Sequence, residues 1–388
     1  MVTISSADNA LKTLYLGVVA EQLNTAVNPL LAKIQQTSSD VWGKEIRKLA
    51  PFGINGGIGA GTEDGTLPEA ASNNYAQFVL TLKNLYGTIE ISDKAMRASE
   101  NSSGAFVNLL EAEMEGLLKA SKFNFGRMLF GDGSGVVATV SSNSGNVITV
   151  DDVRNVMEGM VVDVIGSVTE AKTLSARRIV EVDRANKKIT LDGAAIASSA
   201  LQEGDKITVQ GSYGNELTGL KAIFGDSSTL YGLSRFGNKW LTPYKKTSSA
   251  ITDIVIQTAM DELEEVAGSA ADFIVCSSGV KRAYQDYLIT NRTNIDVMNL
   301  QGGYKAISYN GIPVVSDRFA PKGTMYILNT SDFHLHQLCD WRWLEGDDGR
   351  VIRQIANKPV YTVTLVKYAD MICDRPIGQA MICGITEA

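Results

Sequence analysis

Histidine and cysteine, on which most metal sites and many catalytic centres depend, are nearly missing: the 388 residues include 2 His and 4 Cys. Cys276, Cys339, Cys373 and Cys383 are widely spaced and form no C-x-x-C pair. That spacing argues against a disulfide framework or a zinc site and for free thiols in a reducing compartment. His334 and His336 would share one face of a strand, a ligand-like placement, but no cluster of His, Cys or carboxylates accompanies them. The acidic turn at Glu345, Asp347 and Asp348 lacks the ligand spacing of a calcium loop. The nucleophile elbow G-x-S-x-G is absent. These absences leave no cofactor site, no metal site and no catalytic constellation, so an enzyme is not expected.

Proline is scarce, 8 residues against 36 glycines, which points to Gly-rich turns and long connections. No apolar run reaches the ~18 residues of a membrane-spanning helix. The opening MVTISSADNALK has no basic segment or small-residue cleavage site, so a standard secretion signal is not expected. Basic residues do not prevail: 36 Lys and Arg against 43 Asp and Glu give a net charge of −7. Such a surface repels phosphate backbones, which leaves room for weak contact with nucleic acid only.

What the chain does have is the composition of a folded protein, 44% hydrophobic and 20% charged. Its length suffices for about two or three domains. The most regular stretch runs from about Ser103 to Gly133. Phe106, Leu110, Met114, Leu117, Leu118, Phe125, Met128 and Leu129 recur at helical spacing. Ser102 or Ser103 caps it, and Gly131, Gly133 and Gly135 end it. A helix of roughly 26 residues is a rod of about 40 Å, long enough to act as a spine.

Residues 1 to about 36 read as an amphipathic helical segment interrupted at Pro29. Its apolar stripe is compatible with packing on its own chain and with an arm laid on another subunit. Residues 52–77 show neither helical nor strand periodicity. A connection that long is usually functional or disordered, and it satisfies no phosphate-loop pattern. Phe78 to Ser92 then reads as a strand whose phase changes, with a bulge expected between Asn84 and Gly87. Extended, it spans roughly 45 Å, more than a small domain can cover, and therefore wants a partner surface.

Residues 136–211 change character, to five or six short strands bounded by turn signals, as in a small all-β barrel or sandwich inserted after the spine. From Leu217 the pattern is α/β. SAITDIVIQTAMDELEEVAG reads as a helix stopped by Gly268, DFIVCS as a buried strand, and SGVKRAYQDYLITNR as a helix capped by Ser277 or Ser278. YNGIPVVSD, TMYILNTSDFHLHQL, RVIRQIA and PVYTVTLVKYADMICDR follow as strands, giving a mixed sheet with helices on its faces. Trp341 and Trp343, two apart on one face of an extended piece, suit core packing.

In order along the chain, EDGTLPEAASNNYAQFVLTLKNLYGTIEISDKAM, the long helix ending LFGDGSG, ELTGLKAIFGD, and the run from ITDIVIQTAMDELEEVAG to YNGIPVVSDRFAPKGTMYILNTSDF together resemble the major capsid proteins of tailed bacteriophages. The resemblance implies an α+β Hong Kong ninety-seven-type capsid fold. Its parts would be an N-terminal arm (1–51), an extended loop or E-loop (52–92), the spine helix of a P domain (93–135), an inserted β domain (136–211), and the A domain (about 220–345) with the rest of the P domain within 212–388. It further implies hexamers and pentamers of the chain itself, closing as an icosahedral head assembled in the host bacterial cytoplasm. A portal and a separate scaffolding or decoration protein would be partners, with weak non-specific contact to the packaged double-stranded DNA and none to a membrane. Subunit contacts would fall on the loop at Glu63, Leu67, Glu69, Phe78, Leu80, Leu82, Lys83 and Tyr86. Lys83 is the nearest loop lysine to those that cross-link in some relatives, but no motif identifies a reacting pair. Two other readings of the same residues are an encapsulin-like nanocompartment shell and a β-rich virion fibre or adhesin binding carbohydrate through the 136–211 module.

Overall fold

The computed structural model describes residues 28–95, 103–291, 297–299, 305–346 and 349–388. The architecture is mixed α+β, with few helices and many strands. The expectations for residues 1–27, for the cap at Ser102, for Asp347 and Asp348, and for the side chains of Phe106 and Leu110 lie outside the described residues.

The centre is a five-stranded, mostly antiparallel sheet built on two long strands. Val360–Cys373 pairs on one edge with Phe333–Trp343 and on the other with Lys83–Ser92, and Arg353–Gln354 adds a short edge. Helix α1, Ser103–Leu129, packs across one face of this sheet. Met114, Leu118, Phe125, Met128 and Leu129 are buried there with Leu365, Ala369, Trp341 and Trp343. The tryptophans are thus core residues, as their spacing suggested. The helix approaches the Lys83–Ser92 strand so closely that a Cβ on Gly87 would stand 2.8 Å from Leu117 Cδ1, which is why glycine occupies that position.

The four-residue helix α2, Leu220–Ile223, buries Leu220 and Ile223 in the same core. Helix α3, Asp253–Ala267, starts where the Thr252 hydroxyl accepts from Val255 N and stops at Gly268 in the left-handed conformation. Helix α4, Ser278–Thr290, is capped by Ser277. The second sheet has seven strands, in the order Tyr244–Thr247, Ala380–Cys383, Met325–Leu328, Phe273–Cys276, Ile312–Ser316, Lys305–Tyr309 and Val297–Asn299. Phe273–Cys276 is buried at every position because both of its faces are covered. Ile274 and Cys276 pack with Ala259 and Leu263 of α3 and Tyr284 of α4, whereas Phe273 and Val275 join the core of α1 and α2.

Between α1 and α2, Val136–Ser144, Val147–Val150, Val161–Ile165, Lys172–Asp183, Lys188–Leu191 and Lys206–Val209 close into a six-stranded barrel with its own apolar interior. The barrel begins and ends at one spot. Gly214 N donates to Ser134 O at 2.9 Å, and Gly135, at φ 79°, passes so near Ser212 O that a Cβ would overlap it. Arg154 anchors the barrel to the rest of the chain by donating to Ala320 O at 2.9 Å.

Two sequence expectations need correction. Leu30, Leu31 and Ile34 are buried in their own subunit's core, but on turns rather than a helix. The Asn28 side chain accepts from Leu30 N and Leu31 N and holds a single helical turn. The chain then extends at once as Gln35–Thr37, parallel to His334–His336. The second correction concerns the long strand after the loop. It is two strands, Asn74–Thr81 and Lys83–Ser92, in two different sheets, and the change of phase falls at Leu82 rather than between Asn84 and Gly87. Leu82 N donates to Lys44 O at 2.9 Å at the point where pairing passes from Glu45–Phe52 to Val360–Cys373.

Candidate assembly surface

Glu45–Phe52 and Asn74–Thr81 form a hairpin in full register from Glu45 opposite Thr81 to Phe52 opposite Asn74. At its root the hairpin is anchored. Phe78 is fully buried, with ring centroids 5.0 Å from Tyr231 and 5.9 Å from Trp240, and Phe52 stacks on Trp240 at 5.1 Å. Val79 N donates to Tyr231 O. The aromatic anchors come from the segment just after α2, more than a hundred residues away in sequence.

Beyond the root the hairpin becomes a finger. From Gly53 to Tyr75 every residue except Gly57 is exposed. The two limbs lie against each other: Asn55 Nδ2 donates to Asn73 Oδ1 at 3.1 Å, and Asn73 Nδ2 to Tyr75 OH at 3.1 Å. Glycines make the ribbon this thin. A Cβ on Gly57 would sit 3.2 Å from Ala71 N, and one on Gly59 would sit 3.0 Å from Pro68 Cγ. A turn with Gly65 N on Thr62 O closes the tip.

The finger's chemistry is apolar and acidic. Ile54 and Ile58 are each 76% exposed and Leu67 89%. Glu63, Asp64 and Glu69 carry its only charges, since no Lys or Arg occurs between Phe52 and Lys83. Isolated exposed apolar residues are ordinary, but three on one projection with no core of its own are a surface that gains from being covered.

Of the eight loop positions expected to contact other subunits, the structure divides the set. Glu63, Leu67, Glu69 and Tyr86 stand exposed. Phe78, Leu80 and Leu82 are buried in their own subunit, so they are root and core residues and not a free contact face. Their alternation was real, but the surface they cover belongs to the same chain. Lys83 is half-buried and donates to Gly214 O at 3.0 Å. The exposed Ile54, Ile58 and Tyr75 were not singled out from sequence. Their only signal was apolar side chains within an otherwise polar, Gly-rich stretch.

A groove of about 650 Å³ lies at the finger's root, lined among others by Lys83, Thr218, Lys221, Tyr231 and Asp370. Lys221 pairs with Asp132 at 2.8 Å on its rim. Asp370 is fully buried on its wall, and burial pushes its carboxyl up to about 6 despite hydrogen bonds from Thr218 N at 2.7 Å and Met371 N at 2.8 Å. The linkage has a definite sign. The folded state holds this proton more tightly than the unfolded chain, so stability is gained as pH falls through about 6 and levels off below the unfolded value. Between about pH 7 and 4.5 the gain from Asp370 amounts to about 2 kcal/mol. Asp370→Asn, which mimics the protonated acid, is expected to reduce the acid stabilisation by that amount, read as the difference from the parent in urea unfolding at the two pH values.

Among the described residues no group of His, Cys, Asp and Glu could hold a metal ion. His334 and His336 face Asp374 and a backbone carbonyl instead. All four cysteines are free. No helix among the described residues is long and apolar enough to cross a membrane.

The fold has counterparts among solved structures, which include capsid proteins of phages and an encapsulin. The protein of the cyanophage A-1(L) capsid superposes with a TM-score of 0.55 at 14% identity, over 95% of this chain and 93% of that one. The SrpI encapsulin of Synechococcus elongatus PCC 7942 matches with a TM-score of 0.49 at 9% identity, over 93% and 89%, and the capsid of a native GTA particle with 0.47 at 11%, over 92% and 90%. No protein-family model and no curated protein matches the sequence. The class defined is that of chains with a phage-capsid fold.

Proposed function

We propose that this chain is the major capsid protein of a tailed double-stranded DNA bacteriophage, a structural protein that assembles from copies of itself into the hexamers and pentamers of an icosahedral head. The observation that carries this reading is the finger: a ribbon from Gly53 to Tyr75, exposed along its length and bearing Ile54, Ile58 and Leu67, on a chain with a capsid fold. Covering three large aliphatic side chains against neighbours contributes about 1.5–3 kcal/mol each. A shell repeats the contact at every subunit.

In this reading the hairpin and finger are the E-loop, α1 and the central sheet are the P domain, and the seven-stranded sheet with α3 and α4 is the A domain. The barrel is a module inserted where α1 ends, since its two ends meet at Ser134 and Gly214. Its two connections leave it free to stand out from a shell and meet a decoration protein. A portal and a separate scaffolding protein complete the assembly, and the net charge of −7 suits a container that must hold DNA without trapping it.

The test is electron microscopy of the purified full-length chain, produced alone and together with its scaffolding protein. Closed polyhedral particles or ring-shaped capsomers are expected. A monodisperse monomer at about 10 μM under both conditions would overturn the reading, because shell contacts are linked to concentration by mass action. Particles that exclude DNA and enclose a cargo enzyme would instead mark a nanocompartment.

A further inference from the structure

The chain's two histidines meet at a seam. His334 and His336 sit side by side on Phe333–Trp343, with ring centroids 6.1 Å apart. Gln35–Thr37 runs alongside, with Gln35 opposite His334 and Thr37 opposite His336. Just beyond it, the Ser39 carbonyl lies 2.9 Å from His336 Nδ1. A carbonyl can only accept, so Nδ1 carries the ring proton and Nε2 is left bare, buried and without a partner. On the other side, Lys48 of the hairpin donates to Asp374 Oδ2 at 2.7 Å, and the same oxygen lies 3.1 Å from His334 Nδ1. The strand that precedes the finger and the finger's own root are thus joined to the central sheet through both histidines.

We propose that this cluster is a pH-operated latch: a proton taken from solvent onto His336 Nε2 opens the seam and lets Gln35–Thr37 and the root of the finger move away from the central sheet. His336 is 1% exposed, and an imidazolium there has no acceptor at Nε2. The one carboxylate that favours the added charge, Asp374, is already held by Lys48 through its Oδ2. Lys48 faces it from the hairpin, His334 from its own strand, and Asp374 from the chain after Val360–Cys373, while Arg375 faces Asp332. Asp332 lies beyond Asp374, on the Thr330–Asp332 turn. Cys373 and Tyr231 are held neutral by burial. Gln35, Gln36 and Thr37 bring no charge, and Asp40, past Ser39, is exposed.

Burial holds His336 below the ordinary histidine value, the Ser39 carbonyl opposes that shift, and Lys48 adds to it. Its contribution to the seam is therefore complete above about pH 6.5 and is lost as pH falls through the lowered value. Burial raises the Asp332 carboxyl to about 6, so it becomes neutral over the same interval. That protonation stabilises Asp332 itself but removes a negative charge from the seam, leaving Asp374 to face Lys48, Arg375 and the new imidazolium.

The latch concerns the single subunit and is independent of the shell reading. Hydrogen exchange read by mass spectrometry on the full-length protein tests it at about pH 7.5 and about pH 5.5, with rates corrected for intrinsic pH dependence. Peptides covering 35–52 are expected to lose protection by up to about tenfold on acidification, while Phe273–Cys276 keeps its protection. In His336→Gln, whose amide can still donate to Ser39 O but does not titrate, 35–52 should stay protected at both pH values. In Lys48→Met, which leaves Asp374 without its hairpin cation, the same peptides should exchange faster already at the higher pH. Equal protection of 35–52 at both pH values in the parent chain overturns the proposal, as does an undiminished acid response in His336→Gln. Should that variant not fold, unchanged exchange in Lys48→Met would overturn it.

Discussion

Removing residues 56–73 is expected to give a subunit that folds as before and makes no particles. The deletion takes away residues that are exposed throughout apart from Gly57, so almost no core is lost. It also leaves a workable turn. Phe52 and Asn74 are register partners, and Gly53, Ile54 and Asn55 remain as a three-residue connection, a common hairpin loop length. Shortening an exposed loop costs little chain entropy and can return some. The melting temperature should therefore move by no more than about 2 °C, as for a change of under 1 kcal/mol. Assembly should vanish, as judged by sedimentation and electron microscopy. Leu67→Asp should give a weaker version of the same defect, with the critical concentration for assembly raised about tenfold or more, since one lost aliphatic contact is worth about 1.5–3 kcal/mol. A deletion variant that unfolds would make the finger part of the subunit's own body. One that still forms shells would place the subunit contacts elsewhere.

The finger also marks where sequence stops being informative. Its lack of periodicity, its glycines and its length announced a projection correctly. The alternation of Phe78, Leu80 and Leu82 announced a covered face, but alternation says only that something covers it. The cover is Tyr231 and Trp240, brought in by the chain's return after the barrel, and no local pattern encodes that meeting. The break at Leu82 was hidden for a related reason. A strand passing from one sheet to another changes phase as a bulge does, and only the partners distinguish the two. Glu45–Phe52 went unread because Lys48 and Pro51 disturb its pattern; it is the middle strand of its sheet, but Val41–Trp42 pairs only with Glu45 and Ile46, so the side of the strand beside Pro51 is open. Elements whose signals are local were legible. Ser277 caps α4, Gly268 ends α3 in the left-handed region, and turn signals bound the barrel strands. Leu30, Leu31 and Ile34 carried a helical spacing that Asn28 satisfies in one turn, so over the described residues 28–36 the apolar positions are buried without a continuous helix.

The larger expected loss of stability comes from Arg127, near the end of α1. Its guanidinium grips Glu216 in two bonds, Nη1 to Oε2 at 2.8 Å and Nη2 to Oε1 at 2.5 Å, with both side chains under 5% exposed. Glu216 lies on the chain leaving the barrel and Arg127 on the helix leading into it, so the pair ties the two connections of the barrel to one point. A buried pair is not itself a large source of stability, because desolvation offsets most of the attraction. Removing one partner is different, since the other is left charged and dry. Arg127→Met should therefore cost about 3–5 kcal/mol, lowering the melting temperature by about 5–10 °C. Adding Glu216→Leu to it should recover most of that loss, because two apolar side chains of similar volume can occupy the site with neither charge left unpaired. The two variants together separate the penalty of an orphaned charge from the worth of the pair. If Arg127→Met melts with the parent chain, water reaches Glu216 and the joint between spine and barrel is open. If the double variant is no better than the single, the guanidinium is needed for its shape, as the clamp that holds the barrel's two ends against the end of α1.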